Sequence, residues 1–399
     1  MRFSDQVQRD GIDDVTPEPD ALAHSARLCD LIRAELAAQS GRLSFQRYME
    51  LALYAPGLGY YSAGARKFGP TGDFTTAPEL SALFSRCLAR QCQQVLAVTS
   101  GDIMELGAGS GIMATDILLE LNALACLPER YLILEVSADL RQRQQQTLQH
   151  YAPMLLPRVH WLDSLPAQPI NGIILANEVI DAMPVERFRI TSQGPRPLWI
   201  EWTGECFRAC LGEANPALTL WTQALSQTLG YELPQGYESE RQPHLADWLK
   251  SVADSLRQGV MLFIDYGYPA REYYHCERAM GTLLCHFRHR VHANPFVYPG
   301  LQDITANVDF SALAEAALAA DLELLGYTSQ NYFLFGCGLE ALLAAVDPSD
   351  TVRYLALTGA VKQLTLPGEM GERFKVLACG RGVTLPLCGF EFRDERFRL

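Results

Sequence analysis

Ile103-Met104-Glu105-Leu106-Gly107-Ala108-Gly109-Ser110-Gly111-Ile112 is the stretch from which the rest of the chain can be placed. Ile103 to Leu106 read as the end of a buried strand, and three glycines at alternate positions then make a tight turn. Met113, Ile117, Leu118 and Leu121 follow at roughly helical spacing. Glycines in this pattern let the backbone turn sharply and come close to a ligand, because no Cβ intervenes. The helix behind them offers unpaired N–H groups at its start.

An ordinary tight turn in an α/β protein has the same look, so the flanking residues must discriminate. Ile112 stands where the dinucleotide fingerprint needs a small residue, which disfavours NAD. No Lys-Ser or Lys-Thr follows, so this is not a phosphate-cradling loop. Glu105, just ahead of the glycines, would repel polyphosphate but suits the amino-acid end of a ligand such as S-adenosylmethionine. Tyr131-Leu132-Ile133-Leu134-Glu135-Val136-Ser137 reads as a second apolar strand ending in an acid. Glu135 lies about one βαβ unit past the glycines, where a carboxylate accepts hydrogen bonds from ribose hydroxyls. Together the two stretches resemble motifs of the class I S-adenosylmethionine-dependent methyltransferases. Gly107, Gly109, Gly111, Glu105 and Glu135 are then cofactor-binding candidates.

The chain has 399 residues, 48% hydrophobic and 20% charged, which is globular composition. Its net charge of −13 argues against a general nucleic-acid footprint. Eleven scattered cysteines without a CxxC pair suggest neither a zinc ribbon nor a thioredoxin motif, and fit free thiols in a reducing compartment. Met1 to Asp20 is acidic and lacks an apolar core, unlike a secretory signal or an Arg-rich transit peptide. No run of about 18 apolar residues occurs, so no membrane span is expected. A cytoplasmic protein is the expectation from these features.

Helical spacing extends over Ala21 to Gln39, and Ser44 reads as the N-cap of a second helix through Phe45, Tyr48, Met49, Leu51 and Leu53. A Gly- and aromatic-rich loop then runs from Tyr54 to Glu79, with the composition of a functional lid or of an irregular surface connection. Glu79 to Leu96 reads as a helix beside the first strand. Val159-His160-Trp161 is a short third strand leading to Asp163 and Ser164, candidates for contact with an adenine amine. The fourth strand, Gly172 to Ala176, runs into Asn177-Glu178-Val179-Ile180-Asp181-Ala182-Met183-Pro184-Val185-Glu186. Ligands bind beyond the carboxyl ends of parallel strands, which makes Asn177, Glu178, Asp181 and Glu186 site candidates. An acidic helix N-terminus would look the same.

Arg187–Thr191, Pro197–Trp202 and Cys206–Leu211 look like short antiparallel strands of an insertion after strand four. The fifth strand, Val260 to Ile264, ends in Asp265 and Tyr266, substrate-side candidates. His286, His289 and His292 are flanked by strand-forming residues, so a basic patch facing the cleft is expected and no metal site. A helix at Asp309–Leu322, strands at Leu322–Tyr327 and Arg373–Ala378, and helices at Phe333–Val346 and Thr351–Leu364 complete the pattern.

Seven stretches in order carry a sharper resemblance: Gly72-Asp73-Phe74-Thr75-Thr76-Ala77-Pro78-Glu79, Glu105 to Gly111, Leu134 to Ser137, Asn177 to Pro184, Asp265 to Tyr268, Gln302 to Thr305 and Pro367 to Gly371. They resemble the MidA-like family, related to the mitochondrial complex I assembly factor that is a protein-arginine methyltransferase. The resemblance implies an α/β fold: a class I (Rossmann-like) methyltransferase sheet with a helical N-terminal extension and an antiparallel β insertion. It divides the chain into residues 21–98, helical with a cofactor-covering loop, and residues 99–399, the core with its insertion at about 187–257. It implies S-adenosylmethionine as cofactor, with Gly72, Asp73 and Thr76 in the covering segment. It also implies arginine N-methylation of a protein, a respiratory-complex subunit among the candidates, and leaves the oligomeric state open.

Guanidinium is a poor nucleophile because its lone pairs are delocalised. Carboxylates that clamp the nitrogens not under attack localise charge, orient the attacking nitrogen and take up the excess proton. Glu178 and Glu186, eight positions apart, resemble the paired glutamates of arginine methyltransferases, with Asp181 in reserve. Two other acceptor classes stay open. One is a small molecule or RNA, although the Asn-Pro-Pro-Tyr type of motif and a Pro-Cys nucleophile are missing. The other is no acceptor at all, in an assembly factor that binds the cofactor for stability.

Overall fold

Every residue of Asp102–Leu106 (β1) is buried, as expected of a strand covered on both faces of a parallel sheet. The computed structural model, which describes residues 16–62 and 76–399, lays six further strands in one sheet with it. The others are Tyr131–Leu134 (β2), Val159–Leu162 (β3), Ile170–Asn177 (β4), Leu256–Tyr268 (β5), Glu323–Ser329 (β6) and Phe374–Arg381 (β7). Their order is β6-β7-β5-β4-β1-β2-β3. Pairings from β5 through β3 are parallel, whereas β7 lies antiparallel to both β5 and β6. β1 and β4 run parallel, but the succession of strands switches sides between them, β2 and β3 lying on one side of β1 and β4 and β5 on the other, and such a switch point leaves a crevice at the strands' carboxyl ends.

Two compact units result, each made of three chain segments. The seven-stranded unit comprises Thr75–Ile180, His244–Gly267 and Phe310–Leu399. Its core packs Ile103, Ile133, Ile173, Leu175, Val260, Leu262 and Val376 against the helices Ala82–Thr99 and Ile112–Ala123. Ser81 caps the first of these, accepting the Leu83 N–H at 3.2 Å. The helix expected over Phe333–Val346 is two, Gln330–Gly336 and Leu339–Ala344, because Gly338 takes a left-handed φ of 83° between them.

The other unit comprises Met1–Phe74, Asp181–Pro243 and Tyr268–Asp309. Its described residues include the helix Pro19–Ala38 and the helix Phe45–Tyr54, where the Ser44 hydroxyl accepts the Arg47 N–H as the sequence predicts. Five strands pair here: Arg42–Ser44, Gly194–Trp202, Glu186–Thr191 and Glu238–Arg241 in that order, with Phe207–Leu211 beside Gly194–Trp202. Glu238–Arg241 and the helix Pro216–Leu229, capped by Asn215, were not expected from sequence. The histidine stretch is a hairpin, Leu284–Phe287 with Arg290–His292, turned at Arg288 and His289. Burial pushes the His286 imidazole down to about 4, with His292 adding to the effect. It is neutral near pH 7, so any positive charge of the hairpin comes from Arg288 and Arg290.

Candidate cofactor site and acidic loop

The glycine turn leaves β1 with φ of 65° at Gly107, 52° at Gly109 and 83° at Gly111. A Cβ on Gly111 would lie 2.9 Å from the Gln144 Cα, so the helix Ala138–Tyr151 packs on the turn itself. That helix presents donors at a three-residue spacing. Thr147 Oγ1 donates to the Ser110 carbonyl at 2.8 Å. Gln144 Nε2 donates to the Gly109 carbonyl and to Glu135 Oε2, each at 3.1 Å. Arg141 donates to the carbonyls of Glu135 at 2.5 Å and Leu162 at 2.6 Å, and pairs with Asp163 at 2.8 Å.

Glu135, at the end of β2, is 6% exposed. Its Oε1 accepts the Ser137 N–H at 2.9 Å. Burial pushes its carboxyl up, while the Ser137 N–H and the Gln144 amide pull it back. Glu105 is buried within β1, and the Tyr131 hydroxyl donates to its Oε2 at 2.6 Å. Burial drives the Glu105 carboxyl up to about 7. The Tyr131 hydrogen bond opposes that rise and the charge of Glu135 adds to it. The Ser110 hydroxyl donates to Glu79, which lies in the short helix Ala77–Leu80 directly after Thr76. Gly72 and Asp73 lie outside the described residues. Asp163 and Ser164 are exposed after β3.

β4 ends in Asn177, whose amide donates to Glu178 Oε1 at 3.2 Å. Asn177 Oδ1 is buried with no donor among the described residues. Glu178 has a left-handed φ of 52°, a strained conformation for a side chain with a Cβ. Its N–H reaches the Ile264 carbonyl on β5 at 2.9 Å. Asp265, 1% exposed, accepts the Ile180 N–H at 3.1 Å and the Tyr266 N–H at 2.9 Å, fixing the loop after Glu178. The Tyr266 ring stands edge-on to Phe374. Asp181 and Glu186 belong to the other unit. There Glu186 takes a charge-assisted hydrogen bond from its cross-strand partner Arg241, whose guanidinium lies 5.3 Å from the Trp221 ring centre.

Residues 87–328 match the family of S-adenosyl-L-methionine-dependent methyltransferases. The chain belongs to that family. This methyltransferase superimposes with a TM-score of 0.92 on a superfamily member from Burkholderia thailandensis crystallised with S-adenosyl-homocysteine. The two are 43% identical, over 96% of this chain and 100% of the other. It is 29% identical to the mitochondrial protein arginine methyltransferase NDUFAF7 of Danio rerio, over 84% of this chain and 83% of the relative. The Drosophila melanogaster homologue is 27% identical over 92% and 88%. These curated relatives are mitochondrial, which overturns the cytoplasmic placement expected above. Free thiols fit any reducing compartment, and acidic composition carries no address. Among the described residues no helix is long and apolar enough to cross a membrane.

S-adenosylmethionine fits the residues present. The glycine turn leaves backbone exposed where side chains would stand, and buried acids lie on β1 and at the end of β2. The orphaned Asn177 Oδ1 is an acceptor that an ammonium would satisfy. Sequence reasoning missed Gln144, Arg141, Thr147 and Trp161 as parts of this site. For Arg141, Gln144 and Thr147 the available signal was their three-residue spacing on one helix, and it sits in a run of polar residues that reads as a solvated face.

Proposed function

We propose that this methyltransferase modifies the guanidinium of an arginine in a protein substrate. The conformation of Glu178 carries the reading. A glutamate held at φ 52° at the carboxyl end of β4 is costly by about 1–3 kcal/mol, and such strain persists where a side chain must be aimed. The names of the NDUFAF7 relatives support the same acceptor.

When bound, S-adenosylmethionine supplies a methyl group on a sulfonium sulfur, open to in-line displacement. Gly107, Gly109 and Gly111 allow close backbone approach, Glu135 accepts the ribose hydroxyls, and Glu105 with Asn177 receives the amino-acid end. Thr76, with Gly72 and Asp73, covers the cofactor, while Asp163 and Ser164 flank its adenine. Glu178 accepts N–H bonds from the acceptor guanidinium, orients the attacking nitrogen and takes up the proton released. Asp265 holds the loop that carries it, and Tyr266 borders the acceptor. Asp181 keeps the acceptor-side assignment given by the sequence pattern, whereas Glu186, whose charge is matched by Arg241, is assigned to holding the strand pair.

The test is methyl transfer from labelled S-adenosylmethionine into host lysate, including respiratory-complex subunits, beside a Glu178→Gln control. Mass spectrometry then locates the label. Label on a protein arginine that the control lacks is the expected result. Label on RNA or a small molecule, or cofactor binding with no transfer into unmethylated acceptor, would overturn it.

A further inference from the structure

We infer that Gln144 is a positioning residue for Glu135 and thereby sets how strongly the site grips the cofactor's ribose hydroxyls. The inference rests on Glu135 as the ribose acceptor and is independent of the arginine reading.

The helix contains three consecutive glutamines, and only Gln144 is buried, at 0% exposure, while Gln145 and Gln146 are exposed. A primary amide has two donors and a carbonyl oxygen, and Gln144 uses all three groups. Its N–H bonds go to the Gly109 carbonyl and to Glu135 Oε2, both at 3.1 Å. Its oxygen accepts the Trp161 indole N–H at 2.8 Å. One side chain thus ties the glycine turn, the acid ending β2 and a ring on β3. Glutamate at this position would lack the donors, asparagine would be one bond too short, and methionine would fill the space with no polar atom.

The consequence for Glu135 is specific. Among the described residues, Ser137 N–H donates to one of its oxygens and Gln144 to the other, with the Val136 N–H also bonded to the carboxylate. These fixed donors, of which Gln144 is the only side chain among the described residues, hold the carboxylate plane and favour its ionised form against burial. The remaining lone pairs then have a set direction, which a vicinal diol can use only if it does not shift. Removing Gln144 frees the carboxylate to rotate. The loss should fall mainly on the ribose contact, beyond the share owed to the lost bond to the Gly109 carbonyl.

Thr147 provides a control on the same helix, since it bonds the Ser110 carbonyl and not Glu135. The experiment is calorimetric titration with S-adenosyl-homocysteine and with its 3′-deoxyribose analogue, on wild type, Gln144→Met and Thr147→Ala, with thermal melts alongside. Gln144→Met should weaken S-adenosyl-homocysteine about 10- to 100-fold, yet weaken the deoxy analogue only about as much as Thr147→Ala does, the share owed to the lost bond to the Gly109 carbonyl. Thr147→Ala should weaken both ligands by one factor. Equal weakening of both ligands by Gln144→Met, or none, overturns the inference. If Gln144→Met does not fold, Gln144→Glu, which keeps the acceptor for Trp161, is read by the same two ligands. A wild type indifferent to the 3′-hydroxyl would remove Glu135 from the ribose and the inference with it.

Discussion

Glu178 and Glu186 stand close in sequence, both acidic, both just beyond β4, yet their surroundings differ in kind. Glu178 occupies a strained backbone position, with the uncharged amide of Asn177 as the donor to its Oε1. Glu186 sits on a regular strand, directly opposite Arg241, with the two side chains 17% and 13% exposed. A carboxylate matched to a half-hidden arginine has its charge neutralised by the fold. Glu178, in contrast, is held out of its preferred conformation at the carboxyl end of a sheet strand. The contrast teaches that residue type and proximity in sequence do not assign a role; backbone conformation and the setting of the side chain do.

The largest expected effect tests the first half of that contrast. Glu178→Gln should lower methyl transfer by about 10²- to 10⁴-fold while S-adenosyl-homocysteine affinity, by calorimetry, stays within about threefold. An equal loss of affinity would make Glu178 part of the cofactor grip. Next comes Glu186→Gln, which leaves Arg241 without its counter-charge and should cost roughly 3 kcal/mol in a denaturant melt. Adding Arg241→Met should restore much of it. If Glu186→Gln instead abolishes transfer at unchanged stability, the paired-glutamate reading from sequence stands and the contrast fails.

Glu105 offers a third condition, a carboxyl buried with a neutral donor and, among the described residues, no paired cation. Its folded value of about 7 lies above the ordinary 4.5, so between those values the folded protein keeps a proton the unfolded chain has lost. Stability from this group is therefore full below pH 4.5 and falls as pH rises through 7. Cofactor binding should run the other way, because an ammonium favours the ionised carboxylate. Affinity for S-adenosyl-homocysteine should rise by up to about tenfold per pH unit up to 7 and then level. Glu105→Gln should flatten the profile, and Tyr131→Phe should shift its bend upward. The smallest effect is Thr147→Ala, which removes one neutral hydrogen bond to the glycine turn and should cost about 1 kcal/mol in a melt. It calibrates what a single strut of the cradle contributes.

The sheet was legible because its strands are apolar runs closed by glycines or acids, and the family because seven stretches recur in order. What escaped did so for physical reasons. Glu238-Ser239-Glu240-Arg241 is polar in sequence yet buried as a strand, because Arg187 and Arg189 pair with its glutamates and Thr282 donates to Glu240. Periodicity cannot announce burial that ion pairs make possible. The histidine hairpin turns at Arg288 and His289, both with positive φ and without the glycine or asparagine that marks such turns. Gln144 was hidden among its own kind. At the site, the sequence pattern singled out the acids on β1, β2 and after β4, but not the donors that hold them, since those lie up to a helix away.

The position of β7 bears on how the chain is made. It fills the slot between β5 and β6, and it is the last strand to be synthesised. During translation, β1 to β5 and the whole glycine turn emerge while one long edge of β5 still lacks Phe374–Arg381. An open hydrophobic edge of that length is a template for pairing with other chains. Nascent chains stalled before residue 374 should therefore be the aggregation-prone species, and a chaperone that meets this protein on the ribosome has that edge to shield.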